Sequence, residues 1–404
     1  MLYVAGERAR PGWVRDRPGA WLAAVGTVCF GAFMGQLDAS IVALTYHSIG
    51  TRFGATLNAV QWVSLSYLAT LAVLLVPVGR ISDRIGRKRV YLWGFSAFTV
   101  TSLGCAFAPS LGVLIALRAL QGGGAAMLQA NSVALVTTAS PHERLRAALG
   151  LQAAAQALGL ALGPVIGGVV VQTLGWRWVF ALNVPVGVVA VLAGRFLLPR
   201  TRLSSDGPVH IGVRDALAPR PVRHGLLGAG AMYLTLFGPI VLVPQLVQSH
   251  GATPLHAGLV VAALPAGFAL AATLGERMLP STWTGVRRQR CGLLITVVAL
   301  AGGAVLAGTN PASTAWCASL AAIGVGLGVA TPANNASVMG SARREATALT
   351  GGLVSAARAV GTGAATALVA GALAISGGTL AALALLVVAA AAFLGTTRVV
   401  DVPE

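Results

Sequence analysis

Residues 61–108 read QWVSLSYLATLAVLLVPVGRISDRIGRKRVYLWGFSAFTVTSLGCAFA. An apolar run (61–78), a short basic stretch (79–89) and a second apolar run (91–108) follow with no room for a domain between them. An α-helix rises 1.5 Å per residue, so about 20 apolar residues cross a hydrocarbon core about 30 Å thick. Working outward from this pair, twelve candidate spans emerge: about 21–46, 61–78, 91–108, 111–137, 147–174, 178–198, 225–247, 257–274, 291–308, 314–337, 347–375 and 378–396. The 404 residues are 56% hydrophobic and only 10% charged, with a mean hydropathy of +0.79. A soluble domain carries roughly 25% charged residues. Soluble enzymes, disordered chains and secreted disulfide scaffolds are thereby excluded. The expected fold is all-α and membrane-integral.

The net charge of +17 suggests nucleic acid until the bases are placed. With twelve spans both termini share one side. Twenty-four of the 28 Lys and Arg fall at the termini or in the loops on that side. Arg52 and Arg177 fall on the other side, and Arg118 and Arg358 lie within spans. The positive-inside rule then assigns both termini to the cytoplasm. The basicity, including the arginine clusters at 8–17 and 200–223, reads as topology and attraction to anionic lipid, with no nucleic-acid partner. The first span is too long for a signal-peptide h-region and lacks a clear cleavage site, so it reads as a retained helix. Abundant Ala and Gly, with a single lysine (Lys88), fit a GC-rich bacterial gene and the bacterial inner membrane. Cys29, Cys105, Cys291 and Cys317 lie within spans without a CxxC pair and read as small apolar residues; no metal site is expected.

The longest polar interval divides the spans six and six. It predicts an N-terminal bundle over 1–199, a cytoplasmic linker over 200–224 and a C-terminal bundle over 225–404. The halves echo one another. Gln156 and Gly159 are matched 202 residues on by Arg358 and Gly361, and Asn131 is matched 203 residues on by Asn334. Repeated helical halves meeting at a central site are an architecture of secondary transporters.

The stretch between the first quoted spans places Asp83 as the only acid among five bases, in a Gly79…Asp83-Arg84…Gly86-Arg87 order. Glycines there permit turns. A merely positive loop does not need that order. Here the sequence resembles the major facilitator superfamily, whose signature loop reads G-x-x-x-D-R-x-G-R-K-x. Residues 114–124 (LIALRALQGGG) and 159–168 (GLALGPVIGG) resemble two further signatures, the latter typical of the superfamily's drug/proton antiporters. Residues 37–42 (LDASIV), 176–187 (WRWVFALNVPVG) and 251–258 (GATPLHAG) resemble the EmrB/QacA branch. The resemblance implies two six-helix bundles and no catalytic reaction. It implies proton-coupled efflux of hydrophobic drug-like or antibiotic-type molecules, with the proton as coupling ion and no cofactor. Two departures stand out. The branch usually has fourteen spans, and Ala43 and His47 stand where it has Asn and Pro.

The coupling candidate follows from the residues themselves. Of 11 acids, Asp38 alone lies inside a span, and an intramembrane carboxylate is a functional-site hypothesis by default. It lies about 12 Å below the outer end of span 1, and Arg118 lies about 10 Å below the same face in span 4. The two are expected to sit together around the central cavity. Burial disfavours a charged carboxylate and a guanidinium favours it, so moving Arg118 would switch the proton. A permanent structural ion pair is the alternative.

Gly159, Gly163 and Gly167 recur every four residues on one helix face, Gly168 follows, and Pro164 favours a kink. This segment is expected to form a seal or pivot between the halves, against plain close packing. Gln121 and Asn131 are expected to line the cavity near Arg118. For Arg358 three roles stay open: facing water, binding an anionic part of a substrate, or packing between halves. The rival functions are a proton-coupled importer of a metabolite, a membrane-embedded enzyme and a sensor. Enzymes of that class need clustered acids or a His/Asp pair, which scattered acids and six separate histidines do not supply. A monomer is expected, acting on a small molecule in the lipid bilayer.

Overall fold

The computed structural model describes the chain except residues 1–6, 8–10, 13–18, 201–211, 281, 309–312, 344–345, 377 and 399–404. The arginines of the 8–17 cluster, and residues 201–211 of the proposed linker with Arg202, thus lie outside the described residues. Twelve long helices order the rest: α1 (Ala20–Ile41), α2 (Trp62–Ile85), α3 (Arg87–Ala106), α4 (Leu111–Ala139), α5 (Leu145–Thr173), α6 (Asn183–Leu197), α7 (Arg220–Ser249), α8 (Pro254–Met278), α9 (Gly285–Gly308), α10 (Ser313–Ser341), α11 (Thr347–Ser376) and α12 (Gly378–Arg398). Helical backbone continues past α1 through a 3₁₀ turn (Val42–Thr45) to Phe53. Ten spans are long and apolar enough to cross a bilayer by length and composition. α3, which begins Arg87-Lys88-Arg89, and the shorter apolar stretch of α12 complete the twelve. In hydrocarbon every backbone N–H and C=O must be paired within the chain, and helices satisfy that requirement segment by segment.

Helix ends differ from the sequence-based boundaries where basic residues begin. α2 runs to Ile85 and α3 starts at Arg87, so the stretch 79–89 is not a loop but two helix ends joined at Gly86. Gly86 alone takes the turn, at φ 105°, a conformation that costs an L-residue strain. Gly79 is helical and its missing Cβ would meet open space, so the turn does not need it. Likewise α7 starts at Arg220, which places Arg220–His224 in the second bundle rather than in a linker.

Packing follows one rule twice. In the first six helices the paired elements are α1·α4, α1·α5, α1·α6, α2·α4, α3·α4 and α3·α6. In the last six they are α7·α10, α7·α11, α7·α12, α8·α10, α9·α10 and α9·α12. Adding six to each label of the first set yields the second; α7·α8 and α11·α12 also pack in the second half, without counterparts of similar extent in the first. The halves meet chiefly through α5·α8 and α2·α11, which are each other's symmetry mates. Glycines permit the closest crossings. A Cβ on Gly122 would overlap the Tyr67 carbonyl, and one on Gly324 the Leu264 carbonyl.

Candidate functional site: a buried ion pair beside a central cavity

Asp38 and Arg118 meet as their matched depths require. Arg118 Nη1 donates to Asp38 Oδ2 at 2.7 Å, with side chains 1% and 0% exposed. Two further donations hold the guanidinium. Nη1 also donates to Gln121 Oε1 at 2.6 Å, and Nε donates to the Val63 carbonyl at 3.0 Å. Gln121 passes the chain on, donating Nε2–H to Ser102 Oγ at 2.6 Å. Aromatic faces cover the cation, with Tyr67 at 4.3 Å and Phe180 at 5.6 Å from ring centroid to Cζ. The second carboxylate oxygen of Asp38 accepts from Asn183 Nδ2 at 3.1 Å. Four helices (α1, α2, α4, α6) thus converge on one carboxylate–guanidinium pair, and buried charges require such pairing and hydrogen bonding.

Sequence reasoning missed Asn183 as a partner of Asp38. The signal was present: an amide inside the apolar run 178–198, within the Trp176–Gly187 motif.

A cavity of about 260 Å³ lies between the halves, walled by α1–α5, α7 and α11. Its polar lining includes Gln36, Gln129, Gln152, Gln156, Tyr233 and Arg358. Two expectations are corrected here. Asp38 and Arg118 do not line the cavity; Tyr67, which does, lies between it and the guanidinium. Gln121 and Asn131 are also absent from the lining. Gln121 is consumed by the ion-pair network, and Asn131 bonds Ser82 Oγ at 2.9 Å and the Met127 carbonyl at 2.8 Å, toward the Gly86 end of the bundle. Arg358 and Gln156, related by the 202-residue repeat, both reach the cavity from opposite halves.

The cavity extends to Leu149, about 6 Å from the start of α5, and so toward the Gly86 end. At the other end the halves touch. Gly168 of α5 abuts backbone of Pro254 and Leu255, and Gly258 of α8 abuts the Pro164 carbonyl. Leu255 N–H donates to Gln172 Oε1 at 3.3 Å, and Gln245 Nε2 donates to the Ala43 carbonyl at 3.2 Å. The glycine segment of α5 therefore has two faces with two partners. Gly159, Gly163 and Gly167 pack on α1, against Phe33, Ser40 and Ile41 of the same half. Only the Pro164–Gly168 face meets the other half. The halves meet at that face, whereas the glycine triplet packs within its own half.

In the signature stretch Asp83 pairs with Arg87 Nη2 at 2.6 Å, one helical turn on and across Gly86, with Asp83 45% exposed. Arg84 lies in the last turn of α2.

Comparison with known proteins places this arrangement. The model of the Major Facilitator Superfamily matches residues 28–366. The methylenomycin A resistance protein of Streptomyces coelicolor is 30% identical over 409 aligned residues, covering 86% of this chain and 84% of that protein. The riboflavin transporter RibZ of Clostridioides difficile is 33% identical over 44% of this chain. That match spans 39% of RibZ, and other matches are similarly partial: the chain spans about a third of the length of several curated relatives it resembles. A bacterial homolog of the human lysosomal transporter Spinster, solved in an inward-facing and occupied conformation, superposes with a TM-score of 0.71 at 17% identity. It covers 95% of this chain and 98% of its own, and shows the shared fold. Twelve helices in two symmetry-related sets, a cavity between them and a family match across most of the length lead to one conclusion: this chain belongs to the major facilitator superfamily.

Proposed function

We propose that the protein is a proton-coupled exporter of hydrophobic drug-like or antibiotic-type small molecules, working as a monomer in the bacterial plasma membrane without a cofactor. The Gly86 end, with both termini, faces the cytoplasm, because the bases concentrate there. The conformation described is then the inward-facing one, with the Pro164–Gly168 and Pro254–Gly258 segments closing the outside.

The observation that carries the reading is Asp38, the one acid within a span, held by Arg118 at 2.7 Å beside the cavity yet shut off from it by Tyr67. A carboxylate that loses its negative charge releases its guanidinium partner. An external proton reaching Asp38 would leave Arg118 to Gln121 and the Val63 carbonyl, loosening the junction of α1, α4 and α6. Substrate arriving from the cytoplasm or inner leaflet biases the opposite state. Rocking of the halves exchanges the two. Asp83 is half exposed and paired locally with Arg87 in this conformation; with Arg84 it latches the cytoplasmic side when that side closes. The relative named for methylenomycin A resistance favours export, and the relative named a riboflavin transporter leaves a metabolite cargo, and with it import, as the second reading.

The test is transport by inverted vesicles energised to an inside-acid proton gradient, with a panel of labelled lipophilic compounds. Accumulation abolished by a protonophore and by Asp38→Asn is expected. Equal, protonophore-resistant flux in that variant refutes antiport. Movement only in the reverse direction selects the importer.

A further inference from the structure

The two arginines within the membrane spans have opposite surroundings. Arg118 donates to Asp38, Gln121 and the Val63 carbonyl. Arg358 on α11 lines the cavity, and its guanidinium has no ion pair or hydrogen bond among the described residues. Its Nε is buried and unpartnered. The Tyr233 ring lies 5.1 Å from Cζ, orienting the planar group without satisfying its N–H donors. No Asp or Glu lines the cavity, so Arg358 is the sole formal charge on the lining. A guanidinium kept at membrane depth without a counter-ion is costly unless a partner arrives.

The rest of the wall describes that partner. Tyr233 faces the cation and Phe237, stacked on Tyr233, adds aromatic wall, while Gln36, Gln129 and Gln156 supply amides from the first half. The repeat sharpens the point. At corresponding positions the first half presents Gln156 and the second presents Arg358, so the cavity is polar on one wall and cationic on the other. A cationic drug finds no carboxylate here, since Asp38 is 0% exposed and occupied by Arg118.

We infer that the cavity selects amphipathic anions: an apolar, preferably aromatic body carrying one carboxylate or phosphate group, which binds the Arg358 fork while hydrogen-bonding groups at the far end meet the glutamines. A planar guanidinium offers paired, charge-assisted donors to such groups. This names the cargo class of the transport proposed above and rests on that reading for its physiological meaning, but the binding preference is measured separately.

The experiment is equilibrium binding to the full chain in phosphatidylcholine nanodiscs. The probes are 2-naphthoate, 2-naphthamide and 2-naphthylmethylammonium, which share one ring system and differ in charge. Naphthoate is expected to bind about tenfold or more tightly than either analogue. In Arg358→Gln the naphthoate-to-naphthamide ratio falls to about one, and in Arg358→Lys it remains above about threefold. Should the Gln variant fail to fold, the wild-type ratio and the Lys variant still decide. Equal affinities, tighter binding of the ammonium, or no binding of any probe overturns the inference. Repeating the titration in phosphatidylglycerol discs separates the sources of anion: competition there identifies a lipid headgroup, and an unchanged affinity identifies a free small molecule. Vesicle transport discriminates the underlying reading. Naphthoate preference without protonophore-sensitive extrusion retires antiport and leaves the anion site standing. Extrusion without that preference does the reverse.

Discussion

Placing one methyl group at Gly168 should shift the conformational equilibrium of the whole molecule. An ideal Cβ there falls 2.8 Å from Leu255 Cα and 2.8 Å from the Pro254 carbonyl oxygen. Carbon atoms in contact prefer about 3.5–4.0 Å, so α8 must retreat by roughly 1 Å. Both obstructing atoms are backbone, so no rotamer change relieves the overlap. Overpacking of this kind costs about 1–3 kcal/mol. Only the state in which α5 and α8 touch at this end bears the cost. At about 1.4 kcal/mol per tenfold, the closed-outside population should fall about 5- to 140-fold relative to its alternative. Gly150→Ala is the control. It lies on the same helix, its Cβ would meet open space, and alanine there should be neutral or mildly stabilising. The assay is the distribution of distances between spin labels at Thr173 and Leu259, in a background with the four cysteines replaced by alanine. Gly168→Ala should populate a longer distance and slow transport, and Gly150→Ala should do neither. If the two variants give the same distances as the parent, the outer seam does not control the conformation and the reasoning fails.

Three further outcomes follow from the same geometry. Asp38→Asn removes the counter-ion of a guanidinium 1% exposed and should destabilise by about 3–5 kcal/mol; adding Arg118→Gln should recover much of the thermal stability in detergent while leaving proton-driven transport absent, whereas recovery of both would make the pair purely structural. Tyr67→Phe keeps the ring over Arg118 and should transport within about threefold of the parent, while Tyr67→Ala opens the pair to the cavity and should raise the passive proton leak of vesicles carrying a pH-sensitive dye. Gly86→Ala forces a side chain into φ 105° and should lower stability by about 1–2 kcal/mol, whereas Gly79→Ala, helical and facing open space, should match or exceed the parent in a thermal-shift measurement.

Much of the site could be read along the chain because depth in a membrane is a one-dimensional quantity. Asp38 and Arg118 were placed at one level by counting residues from their helix ends, and they meet at 2.7 Å. The same counting separates Asn131 from Arg118, against the expectation that both line one cavity. Asn131 shares a helix with Arg118, but 13 residues at 1.5 Å each carry it about 20 Å away, to Ser82. The boundary at residues 79–89 was misread because bases and glycines resemble a loop, yet arginine side chains reach toward the headgroups while their backbone stays helical.

What the linear sequence settled is the all-α membrane class, the number and order of the spans, the repeat of six on six and the level of each charge. Each of these depends on hydropathy or on residue counts along an axis. The tertiary structure alone decided azimuth and neighbourhood. It put Asn183 on the free oxygen of Asp38, Tyr67 between the ion pair and the cavity, and Gly159 against α1 while Gly168 meets α8. It also turned Arg358 into the cavity without a counter-ion. A helix in lipid is apolar on nearly every side, so no polar stripe marks which face looks inward; rotation about the axis is set by the packing of the other eleven helices.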